Sequence, residues 1–196
     1  SRGLGDVYKR QDISHLNWTG RTDCRHISAV VKGLTLHNFY IPAGGDEPNI
    51  EKNPKFSHKL NFIAEMTKYF SQQLPSRSIL VGDLNIAPLA EDVWSTRQLR
   101  NTVSHTAIER ENLLALVEQG GWTDSVRAHF GPKEVLFSWW SYRARDWVAS
   151  NRGRRLDHIW VSRDLASKVE AVTIESAMRG AEKPSDHVPL TITLQP

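Results

Sequence analysis

Hydrophobic positions along the chain recur with two spacings, one typical of helices and the other of strands. Over residues 53–74 the apolar side chains follow three- and four-residue steps, and Pro54 falls in the first turn, which predicts an amphipathic helix. Thr106 and Glu109 have the spacing of a capping box before a second apolar run, and the glycines at 120–121 predict its end. We therefore expect two helices of several turns.

Period-two and β-branched runs predict strands between and after these helices. Residues 27–31 and 34–41 flank Gly33, which predicts two strands joined by a tight turn. Further strands are predicted at 79–81, 137–140, 156–161, 169–175 and 187–194. Strands mixed with helices predict a layered α/β domain, which we place at residues 12–196. Residues 1–11 lack an apolar period, and we interpret them as a foreign leader.

Composition limits the class of protein without identifying it. The chain has 196 residues, of which 39% are hydrophobic, enough to bury a substantial core in one domain. A single cysteine, Cys24, excludes an intramolecular disulfide and suits a reducing compartment. No apolar run approaches the length of a membrane span, and no secretory signal is apparent. We expect a soluble, cytoplasmic, monomeric protein that does not contact a membrane.

Three acid-bearing segments stand beside predicted strands. Asp83 and Asn85 follow the apolar run 79–81, and Asp157 begins another run, while Asp186 and His187 precede the last. Side chains two apart on an extended path face the same way, so Asp83 and Asn85 could address one phosphoryl group and its metal ion. The alternative is an ordinary turn, because these residue types often end strands. The presence of all three segments favours the functional interpretation.

Positive charge is concentrated near the end of the chain, although the net charge is only +3. Residues 142–155 contain five arginines and one aspartate, interleaved with aromatic side chains. Guanidinium groups among aromatic rings suit contact with phosphates and an unstacked nucleotide. About half of the tryptophans would instead belong to the core, because large apolar side chains are usually buried.

The segments GDLN at 82–85, RLDH at 155–158 and SDH at 185–187 resemble the endonuclease/exonuclease/phosphatase superfamily. The segments NFYIP at 38–42, FSWWSYR at 137–143 and NRGRRLDHIW at 151–160 narrow the resemblance to the exonuclease III family. That resemblance implies a DNase I-like, four-layered α/β sandwich, in which two packed mixed sheets are flanked by helices. The family's first strands, which carry an Asn and a Gln-Glu pair, have no counterpart here. We therefore expect the domain to be incomplete at its N-terminus.

The resemblance also implies roles for individual residues. In the family, the His of the SDH segment contacts the scissile phosphate, so Asp157 is expected to accept a hydrogen bond from His187 and orient it. His158 is expected to be structural, because its side chain alternates to the opposite face from Asp157. The expected catalytic residues are Tyr40, Asp83, Asn85, Asp157 and His187. The expected ligands of Mg²⁺ or Mn²⁺ are Asp83, Asn85 and Asp186. The expected DNA contacts are Arg25, Trp139, Arg143, Arg145, Arg152 and His187.

The function implied is that of a metal-dependent DNA repair nuclease. Its substrate would be double-stranded DNA, cut 5′ to abasic sites or shortened from 3′ ends, close to the bacterial nucleoid. Two alternatives stay open: a non-catalytic DNA-binding remnant, and another phosphodiesterase or phosphatase of the superfamily. The arginine- and tryptophan-rich segment argues against a substrate other than nucleic acid.

Overall fold

A six-stranded mixed sheet forms the centre of the structure, a computed structural model that describes residues 13–144 and 146–195. Its strand order is β1-β2-β3-β4-β8-β5, and only β3 and β4 pair in parallel. The leader expected at residues 1–11 lies outside the described residues. The strands of this sheet are β1 (Ile13–Ser14), β2 (His26–Val31), β3 (Leu34–Tyr40), β4 (Ser78–Asp83), β5 (Trp122–Asp124) and β8 (Asp157–Ser162).

Two shorter antiparallel pairs complete the strand content of the described residues. The first consists of β6 (Trp139–Trp140) and β7 (Gly153–Arg154), and the second of β9 (Val169–Ile174) and β10 (Leu190–Leu194). The helices are α1 (Pro54–Gln72), α2 (Thr96–Leu99), α3 (Ala107–Gln119), α4 (Ser125–Phe130) and α5 (Trp147–Ser150). The predicted α/β class is confirmed, with its second strand layer present here as two separate pairs.

The hairpin predicted around Gly33 is present. Strands β2 and β3 pair from His26 with Phe39 to Val31 with Leu34. Lys32 and Gly33 have φ values of 51° and 76°, so both central residues of the turn are left-handed. Such a turn matches the twist of the two strands, which is why a glycine is favoured there.

Both long helices begin where the sequence predicted, the first at Pro54 and the second after the capping-box residue Thr106. The side chain of Asn53 accepts a hydrogen bond from Lys55 N at the start of α1, and Pro54 occupies the first turn. The Thr106 and Glu109 side chains form a reciprocal capping box at the start of α3. Both helices cover one face of the sheet, and α1 packs along α3. None of the helices in the described part of the chain is long and apolar enough to cross a membrane.

The largest core cluster lies between these helices and the sheet. Its buried members include Trp18, Phe39, Phe62, Met66, Phe70, Leu80, Trp122 and Trp160. A smaller cluster joins α4 to β9 and β10 through Val126, Leu136 and Val172. The core therefore holds β3, β4 and β8 in place, and these strands carry Tyr40, Asp83 and Asp157.

Two predicted strands are shorter than expected. The strand at 187–194 starts only at Leu190, because Pro189 has no N–H to donate and interrupts the pairing. The strand at 137–140 is reduced to Trp139–Trp140. The residues left out of these strands still connect the two segments, since Val188 N donates to Ser138 O at 2.8 Å and Trp139 forms a bridge with His187.

Candidate active site

Three of the predicted catalytic residues lie in one row across the sheet. Tyr40 at the end of β3 is in register with Asp83 at the end of β4, and Asp83 is in register with Asp157 at the start of β8. Side chains of paired residues lie on the same side of a sheet. The sheet therefore presents a phenol and two carboxylates side by side at one edge.

His187 approaches this row from a different segment. Its Nδ1 lies 2.8 Å from Asp157 Oδ2, and the same oxygen accepts a 2.7 Å hydrogen bond from Ser138 Oγ. Ser138 Oγ also accepts from Leu156 N and Asp157 N, each at 3.0 Å. Because Nδ1 is occupied by the carboxylate, Nε2 is the ring nitrogen available to a ligand.

Asn85 is held against Asp83 by its own backbone and side chain. Asn85 N donates to Asp83 Oδ1 at 2.9 Å, and Asn85 Nδ2 donates to Asp83 Oδ2 and to Ile41 O, each at 3.0 Å. Asn85 has a φ of 54°, a left-handed conformation that asparagine tolerates better than most residues. Since the two hydrogens on Asn85 Nδ2 are donated to Asp83 and to Ile41, the side-chain oxygen of Asn85 is the atom left to bind a cation.

The electrostatics of this group reflect two carboxylates placed close together. Burial raises the pKa of the Asp83 carboxyl to about 6, and the charge of Asp157 adds to that effect. Burial alone would lower the pKa of the His187 imidazole, but the hydrogen bond and charge of Asp157 outweigh it and raise that pKa above its usual value. His187 is therefore biased toward its cationic form, which suits contact with a phosphate.

A divalent cation fits the donors present. One ligand atom from each of Asp83, Asp157 and His187 lies within 4.8 Å of the other two. The raised pKa of Asp83 indicates negative charge without enough compensation, which a bound cation would supply. Carboxylate and amide oxygens are the ligands that Mg²⁺ and Mn²⁺ prefer. The carboxylates of this cluster, with the amide oxygen of Asn85 beside them, could therefore hold a metal ion, which leaves His187 to contact a phosphate.

Asp186, predicted as a metal ligand, lies outside this close group. Its Oδ2 accepts a 2.9 Å hydrogen bond from Trp139 Nε1, and its backbone oxygen accepts from Trp140 N at 2.9 Å. The two tryptophans thus fix the segment that carries Asp186 and His187. A role for Asp186 as a ligand stays a prediction, and Trp139 is placed beside the site, half-buried.

Arg25 lies at the Tyr40 end of the row. Its guanidinium is 5.2 Å from the centroid of the Tyr40 ring, and Nη1 donates to Tyr40 O at 3.2 Å. Asp23 forms a 3.0 Å ion pair with Arg25 Nε. Tyr40 itself is half exposed, at 50%. Arg25 and Tyr40 thus form an accessible edge next to the carboxylates.

The arginines of residues 142–155 divide into an exposed and a buried set. Arg143 and Arg152 are exposed, and Arg152 stacks on Trp94 at 4.7 Å from the ring centroid. Arg154 is half-buried and stacks on Trp139. Arg145 lies outside the described residues. The positive surface predicted from charge counting is therefore smaller than five arginines suggest.

Arg155 accounts for most of that difference, because it is fully buried. Its Nε and Nη1 contact Asp92 and Asp124 at 2.6 and 2.9 Å. The two aspartates hold the pKa of the Arg155 guanidinium above its usual range despite burial, so this charge is internally neutralised. Arg155 supports the start of β8 instead of facing a ligand.

Two residues that the sequence did not single out contribute directly to the site. Ser138 holds Asp157, as described above, and its only sequence signal is its place between aromatic residues. Lys59 lies within the apolar face of α1, fully buried, and its Nζ contacts Glu109 Oε1 at 2.6 Å and Asn85 O at 2.8 Å. A lysine at a core position of an amphipathic helix is the signal that could have found it.

The fold lines up acidic residues at one sheet edge beside a histidine held by a carboxylate, an arrangement suited to binding a phosphate group and a divalent cation. The sequence model of the endonuclease/exonuclease/phosphatase family matches residues 22–187, and the chain belongs to that family. It is 32% identical to exodeoxyribonuclease III of Haemophilus influenzae over 164 residues, which cover 80% of this chain and 60% of that protein.

Solved structures agree with this assignment. An AP endonuclease from Archaeoglobus fulgidus superposes with a TM-score of 0.85 at 28% identity, covering 94% of this chain and 70% of the other. A 3′ phosphatase from Neisseria, bound to a product DNA hairpin, gives a TM-score of 0.83 at 28% identity, covering 94% and 70%. The DNase I-like fold implied by the sequence is confirmed. The chain spans about three fifths of the length of the curated relative.

Proposed function

We propose that this chain is the catalytic part of a divalent-metal-dependent DNA repair nuclease, which cuts 5′ to abasic sites and removes nucleotides from 3′ ends. The observation that carries the proposal is the cluster of Asp83, Asp157 and His187 at the edge of the sheet. Family membership and the names of the relatives, an exodeoxyribonuclease III and an AP endonuclease, support it. The structural neighbour bound to a DNA hairpin supports DNA as the substrate.

The residues of the site would act on the phosphodiester in distinct ways. Asp83 would orient the attacking water and accept its proton, which a carboxyl with a pKa raised to about 6 can do near neutral pH. His187, kept cationic and oriented by Asp157, would donate from Nε2 to a phosphate oxygen. Tyr40 and Asn85 would add hydrogen bonds as negative charge develops on the phosphoryl group.

Mg²⁺ or Mn²⁺ would be held by Asp83 and Asn85, with Asp186 as a further ligand. Bound there, the cation would neutralise the phosphate. Four arginines would contact the DNA backbone, namely Arg25, Arg143, Arg145 and Arg152. Trp139 would face the sugar that lacks a base.

The test is cleavage of an abasic duplex by the whole protein in Mg²⁺ and, separately, in Mn²⁺, beside a gel shift of the same duplex in EDTA. We expect incision 5′ to the abasic site, metal dependence, and binding that survives chelation. Binding without cleavage in either metal would overturn the nuclease proposal and favour a DNA-binding role. Cleavage of a small phosphate ester without action on DNA would favour another phosphoesterase.

A further inference from the structure

Four consecutive backbone oxygens next to Asp83 each accept a hydrogen bond from a different basic side chain. We call residues 84–88 the Asn85 loop and the four donors the basic clamp. The bonds are Lys59 Nζ to Asn85 O at 2.8 Å, His158 Nε2 to Ile86 O at 2.9 Å, His105 Nδ1 to Ala87 O at 2.7 Å and Arg110 Nε to Pro88 O at 2.8 Å.

The burial of the Asn85 loop explains why its oxygens need these partners. Leu84, Ile86 and Ala87 have no exposed surface, and the loop has left the hydrogen-bonded ladder of β4. Buried carbonyls without partners are costly, so side chains must replace water and the sheet. The donors come from α1, α3, β8 and the segment before α3, so the loop is tied to four separate parts of the fold.

Within the basic clamp, Lys59 is the residue that contacts Asn85, the predicted catalytic residue of this loop. It has no exposed surface, and besides Asn85 O its Nζ donates to Ala43 O at 3.2 Å and contacts Glu109 Oε1 at 2.6 Å. Glu109 is in turn fixed by Ser104 N and Thr106 Oγ1, at 2.9 and 2.6 Å. A buried ion pair often adds no stability over an apolar pair of the same size, so stability alone does not account for this one.

The hydrogen bond from Lys59 Nζ to Asn85 O helps to hold the Asn85 backbone in its left-handed conformation. A non-glycine residue at a φ of 54° is held in a sparsely populated region, which persists only where its surroundings determine it. Turning the backbone to a common conformation would move Asn85 O away from Lys59 and carry Nδ2 away from Asp83. A change of the Asn85 backbone that breaks the hydrogen bond from Lys59 would therefore also break the side-chain contact from Asn85 to Asp83.

We infer that Lys59, with its partner Glu109, is a positioning residue that sets the Asn85 side chain toward Asp83 and the phosphate. It acts through the Asn85 backbone and does not touch the substrate. The inference deepens the proposed nuclease function and rests on it for the activity measurement alone.

The test compares two double variants of the protein with a matched control. K59M/E109Q removes the donor without leaving a buried charge unpaired, whereas K59Q/E109Q keeps an amide donor at residue 59. R163M is the control, because Arg163 Nη2 also donates to a backbone oxygen, Glu118 O at 2.9 Å, but at the far end of α3. The structural readout is the Asn85 side-chain amide signal in a nitrogen-15 NMR spectrum, assigned by its loss in N85D.

We expect the Asn85 amide protons of K59M/E109Q to lose protection and move toward free amide values, with partial return in K59Q/E109Q and no change in R163M. Turnover should fall roughly tenfold to a hundredfold in K59M/E109Q. In a protein that already carries N85A, adding K59M/E109Q should lower turnover by less than about twofold. The reason is that the effects of residues that act through one another are not additive.

An unchanged Asn85 signal in a folded K59M/E109Q variant would overturn the inference, as would failure of both double variants to fold, which would assign the pair to stability. Equal loss of turnover with and without Asn85 would do the same. A wild-type protein without nuclease activity would refute the proposed function, and the NMR comparison would still decide the role of Lys59.

Discussion

Asp83 and Asp157 face each other in antiparallel register across β4 and β8, so two carboxylates share one side of the sheet edge. Burial, together with the nearby charge of Asp157, raises the pKa of Asp83 to about 6. Two like charges held close together lower the free energy of unfolding. A cation that binds the folded protein offsets this loss. Stability and metal binding are therefore coupled at this pair.

The first prediction is that Asp83→Asn stabilises the metal-free protein while removing its response to metal. In EDTA at pH 7.5 the variant should unfold at a higher temperature than the wild type, by a few degrees, because one of two close charges is gone. Added Mg²⁺ or Mn²⁺ should raise the unfolding temperature of the wild type alone. Differential scanning calorimetry with and without the metal measures both effects.

The same variant separates binding from chemistry. Turnover on abasic DNA should fall by several orders of magnitude, whereas DNA affinity should stay within about tenfold, since Asp83 acts mainly in the transition state. Glu91→Gln, at a carboxylate that lies outside the Asp83 cluster, is the control for removing one negative charge. Near-normal turnover in Asp83→Asn would remove Asp83 from the catalytic set.

The second prediction concerns Ser138, whose hydroxyl donates to the Asp157 oxygen that holds His187. Ser138→Ala should lower turnover by roughly tenfold to a hundredfold, the usual range for a residue that orients a catalytic partner. Ser141→Ala is the matched control, because Ser141 lies three residues away and its Oγ accepts a local hydrogen bond from Arg143 N. Equal activity of the two variants would show that Ser138 has no orienting role.

Sequence patterns predicted the helices and strands that carry the candidate site more reliably than the side chains that hold its residues in place. The apolar period with Pro54, the capping box at Thr106 and the turn at Gly33 are local properties, so helices α1 and α3 and the first hairpin were predictable. The convergence of Asp83 and Asp157 followed from strand ends meeting at one edge. These are effects that short stretches of sequence encode.

What the sequence did not reveal depends on interactions between distant segments. The bond from Lys59 to Asn85 O spans 26 positions, and the pairing of Arg155 with Asp92 spans 63. Charge counting assigned Arg155 to the positive surface, although in the fold it is enclosed and neutralised. Such pairs are set by tertiary packing, which a period or a local motif does not report.

The third prediction concerns the DNA-facing surface. Neutralising the exposed Arg143 and Arg152 together, as R143Q/R152Q, should weaken duplex binding and reduce the slope of log affinity against log salt by about 0.9 for each phosphate that the variant no longer neutralises. K32Q/R77Q, at exposed residues at the opposite end of β3 and β4 from Tyr40 and Asp83, removes the same charge elsewhere and should leave the slope nearer the wild type. Fluorescence anisotropy in EDTA over a salt series measures this. Equal slopes for all three proteins would place the DNA on another surface.

The last prediction is a loss of stability in acid, caused by two stacked histidines, the buried His26 on β2 and the half-buried His37 on β3. His26 Nδ1 accepts from Leu16 N at 3.1 Å, so its Nε2 must donate to His37 Nδ1, also at 3.1 Å. This arrangement requires both rings to be neutral, and burial lowers the pKa of each to about 4.

The sign of the effect follows from these values. The unfolded chain takes up protons below about pH 6.5, whereas the folded rings resist protonation until about pH 4. Stability from this pair is therefore complete above pH 6.5 and falls between pH 6.5 and 4, at a rate of up to about 1.4 kcal/mol per pH unit for each histidine. His37→Phe removes one titrating ring and keeps an aromatic stack, so its urea midpoint should depend less on pH over this range. His129→Gln, at an exposed position on α4, should follow the wild type, and a wild-type pH dependence in His37→Phe would contradict the assignment of the acid sensitivity to this pair.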